Sequence, residues 1–130
     1  MDVPEKDPVD LLPLTPAVFH ILLALSEGER HGYAIMREVE RSTDGQMRMG
    51  PGTLYGTLKR AMAAGLVEES DERPDPGIDD ERRRYYRLTA FGLRVATAEA
   101  ERLSRLVAQA RARHLLPGDL LRRTMGEGGA

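Results

Sequence analysis

Two stretches of the chain hold basic residues with no acid among them. Residues 51–67 carry Lys59 and Arg60, and residues 82–94 carry Arg82, Arg83, Arg84, Arg87 and Arg94. Between them, residues 68–81 hold eight acids against the single Arg73. Arginine and lysine free of neighbouring carboxylates are suited to phosphate oxygens, arginine through its two-pronged guanidinium. The whole-chain figures point the other way. The 130 residues carry a formal net charge of −2 and a pI near 5.9, which taken alone argues against a nucleic-acid partner. Net charge says nothing about distribution, however, and a charge run is by default only a solvated surface. The elements that carry these two runs must decide between the readings.

Other chemistry finds little support. The chain has no Cys and no Trp. That excludes a disulfide framework, Cys-based zinc sites and a thiol nucleophile. No glycine-rich phosphate loop occurs, and no His stands with carboxylates at helical ligand spacing. His20 and His114 are too separated for a metal site. The expectation is a protein that is not an enzyme and needs no cofactor. The longest apolar run, Ile21–Leu25, is too short to cross a bilayer, so no membrane partner is expected. The acidic start, Met1–Asp10, lacks an apolar stretch and does not read as a signal peptide, which suggests a cytoplasmic protein.

The elements follow from caps and periodicity. Residues 1–14, with four acids and three prolines, read as a flexible acidic arm. Thr15 and Pro16 start a helix, as cap and first helical residue. Val18, Phe19, Ile21, Leu22, Leu23 and Leu25 make it apolar over most of its circumference, so it is buried or shared with a partner chain. His31-Gly32 opens a second helix with an inner stripe of Tyr33, Met36 and Val39. Arg37, Glu38 and Arg41 face out, and Thr43-Asp44-Gly45 ends it. A third helix starts at Gly50-Pro51-Gly52-Thr53, has Leu54, Leu58, Ala61 and Met62 as core positions, and stops at Gly65. Leu66–Glu69 and Arg83–Leu88 form a hairpin around the turn-rich loop Asp71–Glu81. Thr89 caps a last helix whose apolar positions recur at three- and four-residue steps to about Leu115. At ~1.5 Å per residue it spans on the order of 40 Å, long for a head of this size, so its stripe is expected to meet a second subunit.

The order is helix, helix, helix, strand, strand, helix: a mainly α fold with a small β-hairpin, the winged helix-turn-helix, plus a long C-terminal dimerisation helix. The later helix of such a pair enters the major groove, and arginines on a wing suit the backbone or the minor groove. Both acid-free segments fall on those two elements. The boundaries are an arm at 1–14, a DNA-binding domain at 15–88, a dimerisation helix at 89–116, and a partly disordered tail at 117–130.

The residues also carry a resemblance. His31-Gly32-Tyr33-Ala34-Ile35, Gly50-Pro51-Gly52-Thr53-Leu54-Tyr55, Leu58-Lys59-Arg60, Gly65-Leu66-Val67, Arg83-Arg84-Tyr85-Tyr86-Arg87-Leu88-Thr89 and Gly92 resemble the PadR family of bacterial transcriptional regulators, in order and at family spacing. The resemblance runs from Thr15 to the end of the long helix and looks like the subclass with a short C-terminal helix. It implies a dimeric repressor that binds an inverted-repeat operator in double-stranded DNA. In several members a small phenolic or hydrophobic effector releases the DNA. The chain departs from the pattern at Gly50, where many members have Ser, and at Ala61-Met62, where Leu and a polar residue are common. Without Trp on the last helix, a drug sandwiched between paired tryptophans is excluded.

The expected DNA contacts are His31, Tyr33, Gly52, Thr53, Tyr55, Gly56, Thr57, Lys59, Arg60, Arg82 and Arg83. Alternatives stand beside several of them. His31 reads also as a helix cap or core residue, Tyr55 as partial core, and Gly52 and Gly56 as packing against the second helix. Arg84 points to the other strand face and can pair with an acid, while Asp79, Asp80 and Glu81 could restrain the wing. The expected dimer interface is Phe19, His20, Leu23, Leu103, Leu106, Val107 and Ala110, with a ligand pocket between the first and last helices as a further option. The competing functional reading is a winged-helix dimerisation adaptor that has lost DNA binding.

Overall fold

A computed structural model describes residues 6–70 and 84–118. Arg82, Arg83, the acids Asp79, Asp80 and Glu81, and the tail from residue 119 lie outside the described residues. The chain divides into two compact units, Met1–Glu99 and Ala100–Ala130.

Helix α1 runs Pro16–Leu25, with Thr15 Oγ1 accepting the Val18 N–H at 3.3 Å. Its Ile21, Leu22, Ala24 and Leu25 are buried, and Leu23 is exposed. A two-residue strand, β1 (Arg30–His31), follows. Helix α2 (Gly32–Ser42) buries Gly32, Ile35 and Val39. The buried stripe therefore lies one residue out of phase with the expected one at its start: Tyr33 is half exposed and Ile35 takes the inner place. Helix α3 (Pro51–Ala63) buries Leu54, Thr57, Leu58 and Ala61, and Gly50 supplies no side-chain cap. It stops where Gly65 takes a φ of 78° and the Leu66 N–H reaches back to the Ala61 carbonyl at 2.9 Å, a Schellman closure.

Strands β2 (Val67–Ser70) and β3 (Tyr85–Leu88) pair antiparallel, Glu68 opposite Arg87 and Glu69 opposite Tyr86. The sheet has a third strand that the sequence reading lacks. β1 pairs with β3 through Arg30 opposite Tyr86 and His31 opposite Tyr85, giving the order β1-β3-β2. Two residues are too few to show an alternation, so β1 has no sequence signature. Helix α4 (Ala90–Ala112) starts at Thr89, whose Oγ1 accepts the Gly92 N–H at 2.8 Å and donates to the Gly65 carbonyl at 2.5 Å. It ends three residues earlier than expected. His114 adopts a φ of 58° and the Leu115 N–H closes on the Ala110 carbonyl.

The flexible arm is not what the described part of residues 1–14 forms. Pro8–Leu11 make a 3-10 helix capped by Asp7, and Leu11, Leu12 and Leu14 pack against the core. The Leu14 N–H donates to Glu99 Oε2 at 2.8 Å, and Glu99 is 1% exposed. Three leucines at the end of the arm bury enough apolar surface to hold it down. The core joins α1, α2, α3, the sheet and the start of α4 through Leu22, Ile35, Leu54, Leu58, Tyr86 and Val95. This is a winged helix-turn-helix with a long C-terminal helix.

Candidate nucleic-acid interface

The exposed side of α3 carries Gly52, Thr53, Lys59 and Arg60, with Tyr55 and Gly56 half buried. Among the described residues Lys59 and Arg60 meet no carboxylate. Of the described arginines, Arg37 and Arg94 likewise meet only an aromatic ring, Tyr33 and Phe91, whereas five other arginines of the head meet acids. Arg30 pairs with Glu27, Arg41 with Glu38, Arg48 with Glu40, Arg84 with Glu69 and Arg87 with Glu68. Among the described residues, then, Lys59 and Arg60 of α3 and Arg37 of α2 are cations with no acid partner.

Thr57 does not belong to the contact surface. It is fully buried, and its Oγ1 donates to the Thr53 carbonyl at 2.7 Å. The same oxygen accepts from Arg60 Nη2 at 3.2 Å. Its place one turn from Leu54 and Ala61 puts it on the inner stripe, where a threonine hydroxyl is satisfied by the preceding turn.

Packing separates the glycines. A Cβ on Gly52 would meet nothing within 4 Å, and one on Gly56 would meet only Arg60 Nη1 at 3.7 Å. Neither is a close contact with α2. The glycine that makes that contact is Gly32, where a Cβ would lie 2.5 Å from Tyr55 Oη. Tyr55 thereby ties α3 to the start of α2. It also lines a cleft toward the sheet with Lys59, Met62, Glu69, Arg84 and Tyr86.

At the start of α2, His31 is a cap: its Nδ1 accepts the Ala34 N–H at 3.1 Å, and its ring meets Tyr85 edge-on at 5.6 Å. Tyr33 is exposed, and the Arg37 guanidinium stands 5.8 Å from the centre of its ring. Arg37 is a candidate contact that the sequence reading missed. Its signal was the i, i+4 spacing from Tyr33 on the outward face. These two line a groove of about 420 Å³ with Arg30, Glu38 and Arg41. There the Arg41 guanidinium holds the Glu38 carboxyl below its ordinary value, chiefly by hydrogen bonding, and Glu38 raises Arg41 in return.

At the wing, Arg84 pairs with an acid as expected, and the acid is Glu69 at 3.7 Å. Arg87 Nε donates to Glu68 Oε1 across the strands at 2.9 Å. Of the expected interface residues on α1, Phe19 and His20 are half buried and Leu23 is 44% exposed. On α4, Leu106 and Val107 are exposed, and Leu103 and Ala110 are half buried. Among the described residues no group of His, Asp or Glu could hold a metal ion, and no helix is long and apolar enough to cross a membrane.

Known proteins share these features. Residues 21–98 match the PadR-like family of transcriptional regulators. The transcriptional regulator Rv3488 of Mycobacterium tuberculosis is 36% identical over 90 residues, 69% of this chain and 78% of that protein. A 37.1 kDa protein of transposon TN4556 from Streptomyces fradiae is 37% identical over 86 residues, 66% of this chain, and the chain spans 22% of that protein's length. Among solved structures, RosR of H. salinarum in the complex hsRosR-S1 superimposes with a TM-score of 0.60 at 30% identity, covering 93% of this chain and 98% of that one. The family match takes in α2, α3, the sheet and the first part of α4, and the chain belongs to the PadR-like family of transcriptional regulators.

Proposed function

We propose that the chain is a sequence-specific DNA-binding repressor that acts as a homodimer on an inverted-repeat operator. The observation that carries the reading is the pair Lys59 and Arg60, exposed on α3 and matched to no carboxylate among the described residues. An acid-free helix in the position that enters the major groove is electrostatically prepared for the phosphate backbone. Thr53, Tyr55, Gly52 and Gly56 stand on the same helix, Tyr33 and Arg37 beside it on α2, and Arg82 and Arg83 in the wing sequence. The backbone at Gly52 is open enough for close approach of a phosphate. His31 contributes by fixing the start of α2.

Dimerisation is supported by the apolar residues Leu106 and Val107, each 46% exposed on α4, together with Leu103 and Ala110. Phe19, His20 and Leu23 of α1 are also assigned to contacts with the partner subunit. A cytoplasmic location and release by a small hydrophobic or phenolic effector belong to the same reading.

The test is a titration of the full chain with labelled DNA from upstream of its own gene, against a scrambled duplex. A complex that survives excess scrambled competitor is expected. Loss of both complexes together means that recognition is not sequence-specific. No complex with either duplex means the adaptor reading is correct.

A further inference from the structure

We propose that Glu69 determines how well the chain tells its operator from other DNA, by holding Arg84 until a phosphate of the operator takes the place of the carboxylate. This role of Glu69 rests on the DNA-binding reading.

The register of the hairpin sorts its two ion pairs onto opposite faces. Glu68 lies opposite Arg87 and is bonded to it at 2.9 Å. Glu69 lies opposite Tyr86. Arg84, two residues before Tyr86, shares that face by strand alternation. Tyr86 is buried, and its face is the one turned to α3. There Glu69, Arg84 and Tyr86 line a cleft of about 280 Å³ with Tyr55, Lys59 and Met62. Among the described residues of this lining, Glu69 is the one acid, beside the two cations Lys59 and Arg84.

Tyr55 and Lys59 are assigned above to DNA, so a phosphate that reaches Lys59 lies at the mouth of this cleft. Arg84 stands at the same cleft with its guanidinium engaged by Glu69. The pair is open: Nη1 and Oε1 are 3.7 Å apart, and the side chains of Arg84 and Glu69 are 57% and 43% exposed. An ion pair this accessible to water holds weakly. The guanidinium fork takes a phosphate in two parallel bonds, which are shorter and stronger. Exchange of carboxylate for phosphate is therefore favourable once a phosphate is kept against Arg84.

Keeping it there is what separates the two kinds of DNA. On the operator, base-edge contacts of α3 seat the helix in the groove and fix one phosphate against Arg84. On other DNA the chain is held by phosphate electrostatics alone and can slide. The closed pair then contributes no net charge, and the Glu69 carboxylate stands close to the phosphates that Lys59 attracts. The acid thus weakens binding to wrong sequences more than binding to the right one, and the discrimination comes from a repulsive element.

The test is the salt dependence of DNA binding for the full parent chain, Glu69→Gln and Arg84→Gln, each on upstream DNA and on the scrambled duplex. Glu69→Gln frees Arg84. It is expected to steepen the slope of log affinity against log salt on scrambled DNA by about 0.9, the value of one phosphate contact, and to leave the slope on upstream DNA unchanged. Scrambled DNA should then bind at least ~3-fold more tightly at about 0.1 M salt. Arg84→Gln is expected to do the reverse, with a slope shallower by about 0.9 on upstream DNA and unchanged on scrambled DNA. The two variants approach the exchange from opposite partners, so a loss of fold in one leaves the other as the test. Slope changes that are equal on the two duplexes, or absent from both, overturn the exchange and leave the DNA reading standing. A parent chain that binds neither duplex, or both alike, overturns the proposed function and this role of Glu69 together.

Discussion

Tyr55 Oη occupies the space above Gly32, so close that a Cβ there would lie 2.5 Å from it. The tyrosine of α3 rests on the first residue of α2, so the two helices touch at that point. Gly32→Ala is expected to push the Tyr55 ring aside, at about 1–3 kcal/mol in stability. Because the ring is the end of a side chain, the fold should survive. DNA affinity should fall with it, since Tyr55 is one of the residues assigned to DNA. Thermal unfolding and a DNA titration of the same variant check both halves.

Gly92 makes the corresponding contact with backbone. A Cβ at that position would be 1.9 Å from the Leu66 carbonyl oxygen. Nothing there can rotate away, so α4 or the backbone at Leu66 must move. Gly92→Ala is expected to cost more than Gly32→Ala, at or above the upper end of that ~1–3 kcal/mol range. Equal melting temperatures for the two variants would contradict the packing described.

Thr57 predicts a separation between its valine and serine variants. Thr57→Val removes the hydroxyl from a buried site and leaves Arg60 without its hydrogen bond. A stability loss of about 1 kcal/mol is expected. Thr57→Ser keeps the hydroxyl and should retain the DNA affinity that Thr57→Val loses. If valine and serine bind DNA alike, Thr57 does not orient Arg60.

The Glu38–Arg41 pair gives a pH signature. The Arg41 hydrogen bond lowers the Glu38 carboxyl from its ordinary 4.5, with partial burial opposing the shift. A lowered folded value means that the pair stabilises the fold above pH 4.5 and ceases to do so as pH falls through the folded value. The melting temperature of the parent chain should therefore exceed that of Glu38→Gln at neutral pH. The gap should close below pH 4.5, and it should be small and sensitive to salt because the Arg41 side chain is exposed.

The exposed Leu106 and Val107 predict that Leu106→Glu shifts the chain toward monomer in sedimentation, with the head still folded. DNA affinity should drop, because two half-sites would no longer be held by one particle. A Leu106→Glu chain that sediments like the parent places the subunit contact elsewhere.

Much of this was legible in the sequence. Thr15-Pro16, Pro51, Gly65 and Thr89 mark helix ends by local hydrogen bonding and backbone preference, and all four stand where the caps require. The arginine-to-acid pairing of Arg84 also followed from strand alternation. What escaped depends on partners distant in the chain. β1 exists because Tyr85 and Tyr86 of β3 lie beside it. Glu99 looks like a surface residue of α4 until the Leu14 N–H, far away in sequence, is placed against it. Thr57 looks like a contact residue because its hydroxyl is polar, whereas its own helix satisfies that hydroxyl. The acidic total of the chain misleads for a similar reason: it sums acids and bases along the whole chain and says nothing of Lys59 and Arg60, which meet no carboxylate among the described residues.

The most direct measurement is the salt dependence of binding to upstream DNA, for the parent chain and for Lys59→Ala. Phosphate contacts predict a linear fall of log affinity with log salt, with a slope of about −0.9 for each contact. Lys59→Ala should weaken binding across sequences and reduce that slope by about 1. A specific complex whose affinity is indifferent to salt, or a slope that Lys59→Ala leaves unchanged, would contradict the assignment of α3 to the DNA backbone.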